Sequence, residues 1–314
     1  MGSEFCHRIT QGLACMMLII IPFQRSHAQD QAFFNQHPYN RTLYNPAFMG
    51  DPDIPGFSIL SRQQWLSWEG SPSSNSLVVH TKMKNKNVGL GASLTYDRMG
   101  PFQQTGLSGA YSYSLQLSEA NRIIFGMQGE VMIRQIRLSQ LELIDQGDLL
   151  FSDDPGWKFQ PNVGFGFNYI IGKYSINFSV PRLLNSSLSP YKGETSRWST
   201  TRRIFYLGAN SSYDLHEALK VVPSVLVAFS RGNPLFMELN GVMYYKNRFG
   251  LGAFYRLNKT LGAMVRYHHQ EKFIFGYSYD ISFNMTRYNA GTHELFLGYN
   301  LPFNNNEILS PRRF

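Results

Sequence analysis

Between Asn247 and Phe303 the sequence alternates with a strictness that leaves few folds open. In "NRFGLGAFYRL" the residues Phe249, Leu251, Ala253, Tyr255 and Leu257 share one face. In "LGAMVRYH" the face is Leu261, Ala263, Val265 and Tyr267, and in "KFIFGYSYDI" it is Phe273, Phe275, Tyr277, Tyr279 and Ile281. "HELFLGYNLPF" repeats the pattern with Leu295, Leu297, Tyr299, Leu301 and Phe303. The opposite faces carry Gly250, Gly252, Arg256, Gly262, Arg266, Gly276, Asp280, Glu294 and Asn300. A period of two with one wholly apolar face is a strand signal. Two architectures accommodate it: a soluble β-sandwich, or a membrane β-barrel whose apolar face meets lipid.

The number and connection of the strands favour the barrel. About fourteen runs can be marked, near 57–67, 74–82, 88–97, 103–116, 121–136, 159–171, 173–181, 201–214, 218–230, 233–246, 248–257, 259–269, 271–281 and 291–303. Short connections follow the even-numbered runs: "KNKN" at 84–87, "LSEA" at 117–120, "GK" at 172–173, "LHEA" at 215–218, "KN" at 246–247 and "HQEK" at 269–272. Long ones follow odd-numbered runs, at 137–158, 182–200 and 282–290. An outer-membrane barrel with both ends of its sheet in the periplasm sorts its connections in this way, with short periplasmic turns and longer extracellular loops. A sandwich has no reason to. The expected fold is therefore all-β, a transmembrane barrel of about 14 antiparallel strands.

The N-terminus is consistent with export. Arg8 precedes an apolar run from Gly12 to Phe23, and "SHA" at Ser26–Ala28 offers small residues for a signal peptidase. Cleavage is expected after Ala28. Both cysteines, Cys6 and Cys15, fall in this leader, so the mature chain carries no disulfide and no cysteine metal site. Aromatic residues make up 15% of the sequence and charged residues only 16%, which suits a lipid-facing wall with aromatic girdles. The expected divisions are a signal peptide at 1–28, a periplasmic N-terminal segment or plug at 29–56, the barrel at 57–303 and a tail at 304–314.

Chemistry is absent from the expected set. There is no nucleophile elbow and no phosphate-binding loop. "GLG" at Gly89–Gly91 and "GFG" at Gly164–Gly166 lie within strand runs, where glycine marks a close approach of backbone. His268 and His269 point to opposite faces of a strand and cannot share a metal. The formal charge of +8 is scattered rather than striped, which argues against nucleic acid. No enzyme activity and no cofactor are expected. Arg256, Asp280 and Glu294 should point inward near the outer end, with Arg266 and His268 deeper. They form either a lumenal charge network, bracing the wall or a plug, or an ordinary polar lining.

"QDQAFFNQHPYNRTLYNPAFMG" at Gln29–Gly50 resembles the mature start of the PorP/SprF family, membrane proteins of the Bacteroidetes type IX secretion system. The residues that carry this are Gln29, Asp30, Phe34, Gln36, Asn45, Pro46, Ala47 and Gly50, with Met49 where the family often has a smaller residue. Further matches follow in order: "RQQW" at Arg62–Trp65, "YDRMGP" at Tyr96–Pro101, "YSYSLQL" at Tyr111–Leu117 and "FQPNVGFGFNY" at Phe159–Tyr169. "SVPRLL" at Ser179–Leu184, "GYSYD" at Gly276–Asp280 and "HEL" at His293–Leu295 complete the set. The resemblance implies a non-catalytic outer-membrane barrel in contact with lipid. It also implies partners: a periplasmic ring lipoprotein with its companion, and secreted proteins bearing C-terminal sorting domains. Family roles include ring docking and, in gliding, service as a dedicated carrier for one large adhesin. A small-solute or lipid channel is the other reading for such a barrel. Phe34, Tyr44, Asn45, Pro46, Phe48 and Gly50 are the candidate plug or partner-docking residues. The alternative for them is a local turn that packs Tyr44 and Phe48 on the barrel rim.

Overall fold

The computed structural model of the protein describes residues 33–52, 54–83, 87–140, 154, 156–184, 186–187, 200–201, 203–231, 234–270, 272–283 and 290–300. The leader with its cleavage site at Ala28, the run 301–303 and the tail 304–314 lie outside the described residues.

Fourteen antiparallel strands form a closed ring. They are β1 (Phe57–Gln63), β2 (Ser73–Lys82), β3 (Val88–Met99), β4 (Phe102–Gln116), β5 (Asn121–Ile136), β6 (Lys158–Ile171) and β7 (Tyr174–Val180). The ring continues through β8 (Phe205–Ser211), β9 (Leu219–Phe229), β10 (Phe236–Tyr245), β11 (Phe249–Arg256), β12 (Thr260–His269), β13 (Phe273–Ser282) and β14 (Thr292–Tyr299). Each strand pairs with its neighbours in sequence, and β1 pairs with β14, Phe57 opposite Tyr299, to close the wall. Closure leaves no free edge among the described strands, so the ladder donors and acceptors pair within the sheet.

Alternation produces the two surfaces. Along β12 the residues alternate buried and exposed without a break: Thr260, Gly262, Met264, Arg266 and His268 face inward, while Leu261, Ala263, Val265 and Tyr267 face out. Outward-facing Leu251, Leu261, Val265, Phe275 and Leu295 are each exposed. Such a molecule is inverted relative to a soluble protein, and a lipid environment is what makes the arrangement favourable. Among the described residues no helix is long and apolar enough to cross a membrane; the strands do so.

The connections at 83–87, 117–120, 172–173, 217–218, 246–248 and 270–272 mark the turn end, which is periplasmic. At 246–248 Lys246 and Asn247 both have positive φ, 49° and 54°, as a tight hairpin turn requires. The longer connections at 137–157, 181–204 and 283–291 stand at the outer end. Most boundaries fall within three residues of the sequence expectation, and two among the described residues differ by four. The first strand stops at Gln63 rather than 67: one further in-register bond, Gln64 N–H to the Pro72 carbonyl (2.9 Å), follows it before Trp65 leaves the strand with φ 47°. The eighth starts at Phe205 rather than 201: Thr200 and Thr201 pair with Ser186 and Ser187 outside the ring. Past Ser212 it resumes as Tyr213–His216, still on β9 and in the same register, which shifts between Asp214 and His216.

Candidate functional site

Residues 33–52 lie inside the ring. Three short 3-10 turns, His37–Tyr39, Arg41–Leu43 and Pro46–Phe48, fold the segment compactly. The last turn has a local cause. Asn45 Oδ1 accepts from Ala47 N–H (2.9 Å), and Pro46 at the first turn position has no N–H to satisfy. Tyr44 and Phe48 are 4% and 1% exposed, so they pack within the lumen and not on its rim. Burying each contributes about 1.5–3 kcal/mol. The Tyr44 hydroxyl accepts from Phe34 N–H (2.8 Å), its ring lies 5.4 Å from that of Tyr206, and its carbonyl accepts from Ser179 Oγ (2.7 Å).

The wall that receives Asn45–Gly50 is made largely of inward glycines and small polar groups. Asn45 Nδ2 donates to the carbonyls of Phe167 (3.1 Å) and Phe178 (3.3 Å). A Cβ on Gly126 would overlap the Pro46–Ala47 peptide, one on Gly166 would overlap Asn45 Oδ1, and one on Gly89 would overlap the Met49 carbonyl. Of the glycines of "GLG" and "GFG", Gly89, Gly91 and Gly166 are approached by this segment, through Met49 and Asn45, whereas Gly164 is approached by the Pro181 backbone. Gly50 has φ +77° and lies against the Gly89 backbone, so it combines a left-handed conformation with a space that admits no side chain. Its N–H donates to His80 Nδ1 (3.1 Å), and Ser112 Oγ donates to the Met49 carbonyl.

The opposite arc holds the segment by charge. Asn35 uses its whole side chain: Oδ1 accepts from Arg62 Nη1 (2.6 Å) and Arg256 Nη2 (2.5 Å), while Nδ2 donates to Asp280 (2.7 Å) and Ser278 (3.2 Å). The Glu294 carboxylate accepts the backbone N–H groups of Asn35 and Gln36, each at 2.8 Å, and lies 3.3 Å from Arg62. Arg62 also pairs with Asp280 at 3.4 Å, and Arg256 with Glu238 at 2.6 Å. His37 Nδ1 stands 2.9 Å from the second Glu238 oxygen. All these side chains are buried. Charged hydrogen bonds of this kind are worth about 1.5–3 kcal/mol each, and removing one partner strands the other.

Of the four charges singled out in the sequence, Arg256, Asp280 and Glu294 come together. Arg266 stands apart: its guanidinium lies over the Tyr39 ring, 4.8 Å from the Phe296 ring centroid, and donates to Gln36 Oε1 (2.8 Å). Arg62, Glu238, Asn35, Gln36 and His37 are not among the candidate site residues of the sequence, where Arg62 and Gln36 enter only through the stretches that carry the family resemblance. Two of them had a signal. Arg62 shares the inward face of β1 with Ser58 and Leu60, and Glu238 lies directly opposite Arg256. Asn35, Gln36 and His37 belong to a stretch without periodicity, and nothing in it marks which side chain meets the wall. A second buried pair, Arg182 with both oxygens of Glu130 (2.6 and 2.7 Å), ties the chain leaving β7 to β5.

Two cavities border the segment among the described residues. The cavity beside His37, Arg41 and Asn210 and that beside Phe34, Asp97 and Arg182 are each about 30 Å³, roughly the share of one water in the liquid. Among the described residues no three His, Cys, Asp or Glu side chains are placed to hold a metal.

Among solved structures the fold resembles the CymD monoaromatic hydrocarbon channel, at 9% identity and TM-score 0.49 over 86% of this chain and 95% of that one. It also resembles the Acinetobacter baumannii outer membrane protein Omp33, at 6% identity and TM-score 0.47 over 79% and 98%. A Pseudomonas aeruginosa FadL homologue aligns at 11% identity and TM-score 0.44 over 83% and 94%. No curated protein matches the chain. Residues 26–299 match the family model of the type IX secretion system membrane proteins PorP/SprF, and the chain belongs to that family, as an outer-membrane barrel.

Proposed function

We propose that the barrel is a non-catalytic, plugged scaffold of the secretion machinery. In this reading it offers surfaces rather than a pathway: its turn end docks the periplasmic ring lipoprotein and its companion, and it supports export of proteins with C-terminal sorting domains. The observation that carries this is the segment seated in the lumen. Residues 33–52 are tied to one arc by buried charge and to the other by backbone packing on glycine. Phe34, Tyr44, Asn45, Pro46, Phe48 and Gly50 act in it as plug residues, because all six are buried and so cannot themselves be a docking face. The turn end does present exposed apolar side chains, Leu117 (52%) and Leu215 (65%).

Crosslinking in the intact envelope, followed by identification of what co-purifies, tests this reading. Recovery of the ring lipoprotein and its companion is the expected result. Recovery of one large surface protein alone would instead make the barrel a dedicated carrier. Neither partner, together with a steady ion conductance of the purified barrel in a planar bilayer, would overturn the scaffold in favour of a channel.

A further inference from the structure

Two turns at the periplasmic end repeat one another. "LSEANRII" at Leu117–Ile124 and "LHEALKVV" at Leu215–Val222 share one pattern: Leu, a variable residue, Glu, Ala, a variable residue, a basic residue and two β-branched ones. The structure repeats the likeness. Gln116 pairs with Arg122 and Asp214 with Lys220, the same register one residue ahead of each leucine. Ile124 and Val222, which end the two repeats, are both buried. The Ala120 carbonyl accepts Gly172 N–H (2.9 Å) and the Ala218 carbonyl accepts Lys246 N–H (2.7 Å). In each case the donor belongs to the next hairpin along the rim, so each turn is tied to the sheet and to its neighbour.

What the two repeats display is also the same. Leu117 is 52% and Leu215 65% exposed, and Glu119 and Glu217, two residues on, are exposed as well. The turns that alternate with them, at 172–173 and 246–248, are basic instead. There the ammonium groups of Lys173 and Lys246 lie over the rings of Tyr174 and Tyr245, each 5.5 Å from the centroid. Cations beside rings at a membrane boundary suit anionic headgroups. A carboxylate beside an exposed leucine does not; it suits an apolar socket edged by a cation on a protein.

A surface that offers one contact twice fits a partner that offers the complement twice. The two hairpins, β4–β5 and β8–β9, stand four strands apart on the ring. At about 4.8 Å per strand and a tilt of about 40° this is about 25 Å of arc, close to the diameter of a small domain. We propose that the two turns are a bivalent docking site for a periplasmic protein built of identical subunits. Each turn seats its leucine in the same socket of a different subunit, with its glutamate against a cation at the socket edge. The inference rests on the scaffold reading above and says where the scaffold is held.

Photocrosslinking in cells tests it. Ser118→Cys and His216→Cys fall on the variable position of each repeat, are exposed, and leave the leucine and glutamate in place. Each is loaded with a benzophenone maleimide after the outer membrane is permeabilised, then irradiated, with the unsubstituted protein as background. Both positions should capture the same protein, and the doubly substituted barrel should capture two molecules of it. Leu117→Ser should lower capture at His216→Cys, and Leu215→Ser capture at Ser118→Cys, by about 100-fold, because losing one of two linked contacts forfeits avidity of that order. The thermal midpoint of the barrel should not change, since both leucines are exposed. Adducts with two different proteins, an adduct from one turn only, or capture indifferent to the leucines overturns the bivalent site. Lipid adducts alone at both turns overturn it too, and make the leucines membrane anchors. Amine-reactive crosslinking of the same envelopes reads the scaffold separately: partners recovered there leave it standing with its docking face elsewhere, and none recovered removes both.

Discussion

The two arcs of the wall hold the same segment by different means. From β10 through β14 to β1 the contact is electrostatic, with Arg62, Arg256, Glu238, Asp280 and Glu294 converging on Asn35 and its neighbours. From β3 to β6 the contact is steric, with the backbone of Pro46–Met49 lying against Gly89 and Gly126 and the Asn45 side chain against Gly166. Charge fixes the first half by satisfying groups that have no water to turn to. Glycine fixes the second by leaving no slack. The first arrangement fails when a partner is removed, and the second when an atom is added.

The largest effect is expected on the charged arc. Glu294→Ala removes the acceptor of two buried backbone N–H groups and leaves Arg62 partly uncompensated, at a cost of about 3–5 kcal/mol. The thermal midpoint of the purified barrel in detergent should fall accordingly, and residues 33–39 should become open to protease. A midpoint unchanged from the parent would show that the network contributes nothing to holding the segment.

On the glycine arc, Gly126 and Gly129 make a controlled pair within β5. A Cβ at Gly126 meets the Pro46–Ala47 backbone, while one at Gly129 meets nothing within 4 Å. Gly126→Val should therefore cost about 1–3 kcal/mol by overpacking and unseat the Asn45–Phe48 turn while the barrel still folds. Bilayer recordings should then show a conductance that Gly129→Val does not. Equal behaviour of the two would dismiss close packing as the hold on this half.

Asn45 can be divided by chemistry. Asn45→Ala loses both the acceptor for Ala47 N–H and the two donations to wall carbonyls, for about 1–2 kcal/mol. Asn45→Asp keeps the first and loses the second. If the turn matters more than the wall contacts, hydrogen exchange at Ala47 N–H will stay slow in Asn45→Asp and quicken in Asn45→Ala. The reverse order would place the weight on the carbonyls of Phe167 and Phe178.

How the fold could be read differs from how the site could. Strand positions were legible because alternation encodes which face meets lipid, and the short-turn parity encoded the two ends. "LYNPAFMG" declared a turn through Asn45-Pro46, but not where it lies, since its burial depends on glycines some 40 to 120 residues further along the chain. Those glycines were visible inside strand runs; what approached them was not. Phe296, a buried aromatic on the inner face of β14, also makes sense only once Tyr39 is seen 6.5 Å from its ring.

Arg266 gives the smallest expected effect and tests the limits of the charged arc. Alternation placed it with Arg256, Asp280 and Glu294 on the inner face, and the inner face is where it lies. Facing inward is not the same as joining a network. Among the described residues no carboxylate comes within ion-pair distance of Arg266, and its Nε and Nη1 have no hydrogen-bond partner. What it gains is the face of Tyr39, the ring of Phe296 and one bond to Gln36, while it bears the cost of burying a charge. A cation over a desolvated ring contributes about 2 kcal/mol at most sites of this kind, and an apolar side chain of similar length escapes the desolvation. Arg266→Met should therefore shift stability by less than about 1 kcal/mol in either direction, because these opposing effects nearly cancel. Arg256→Met, which leaves Glu238 with His37 alone and removes one of the two donors to Asn35 Oδ1, should cost about 3–5 kcal/mol. Equal losses from the two substitutions would make Arg266 a working member of the network, and would mean that the charged arc extends one layer deeper toward the periplasm than its ion pairs indicate.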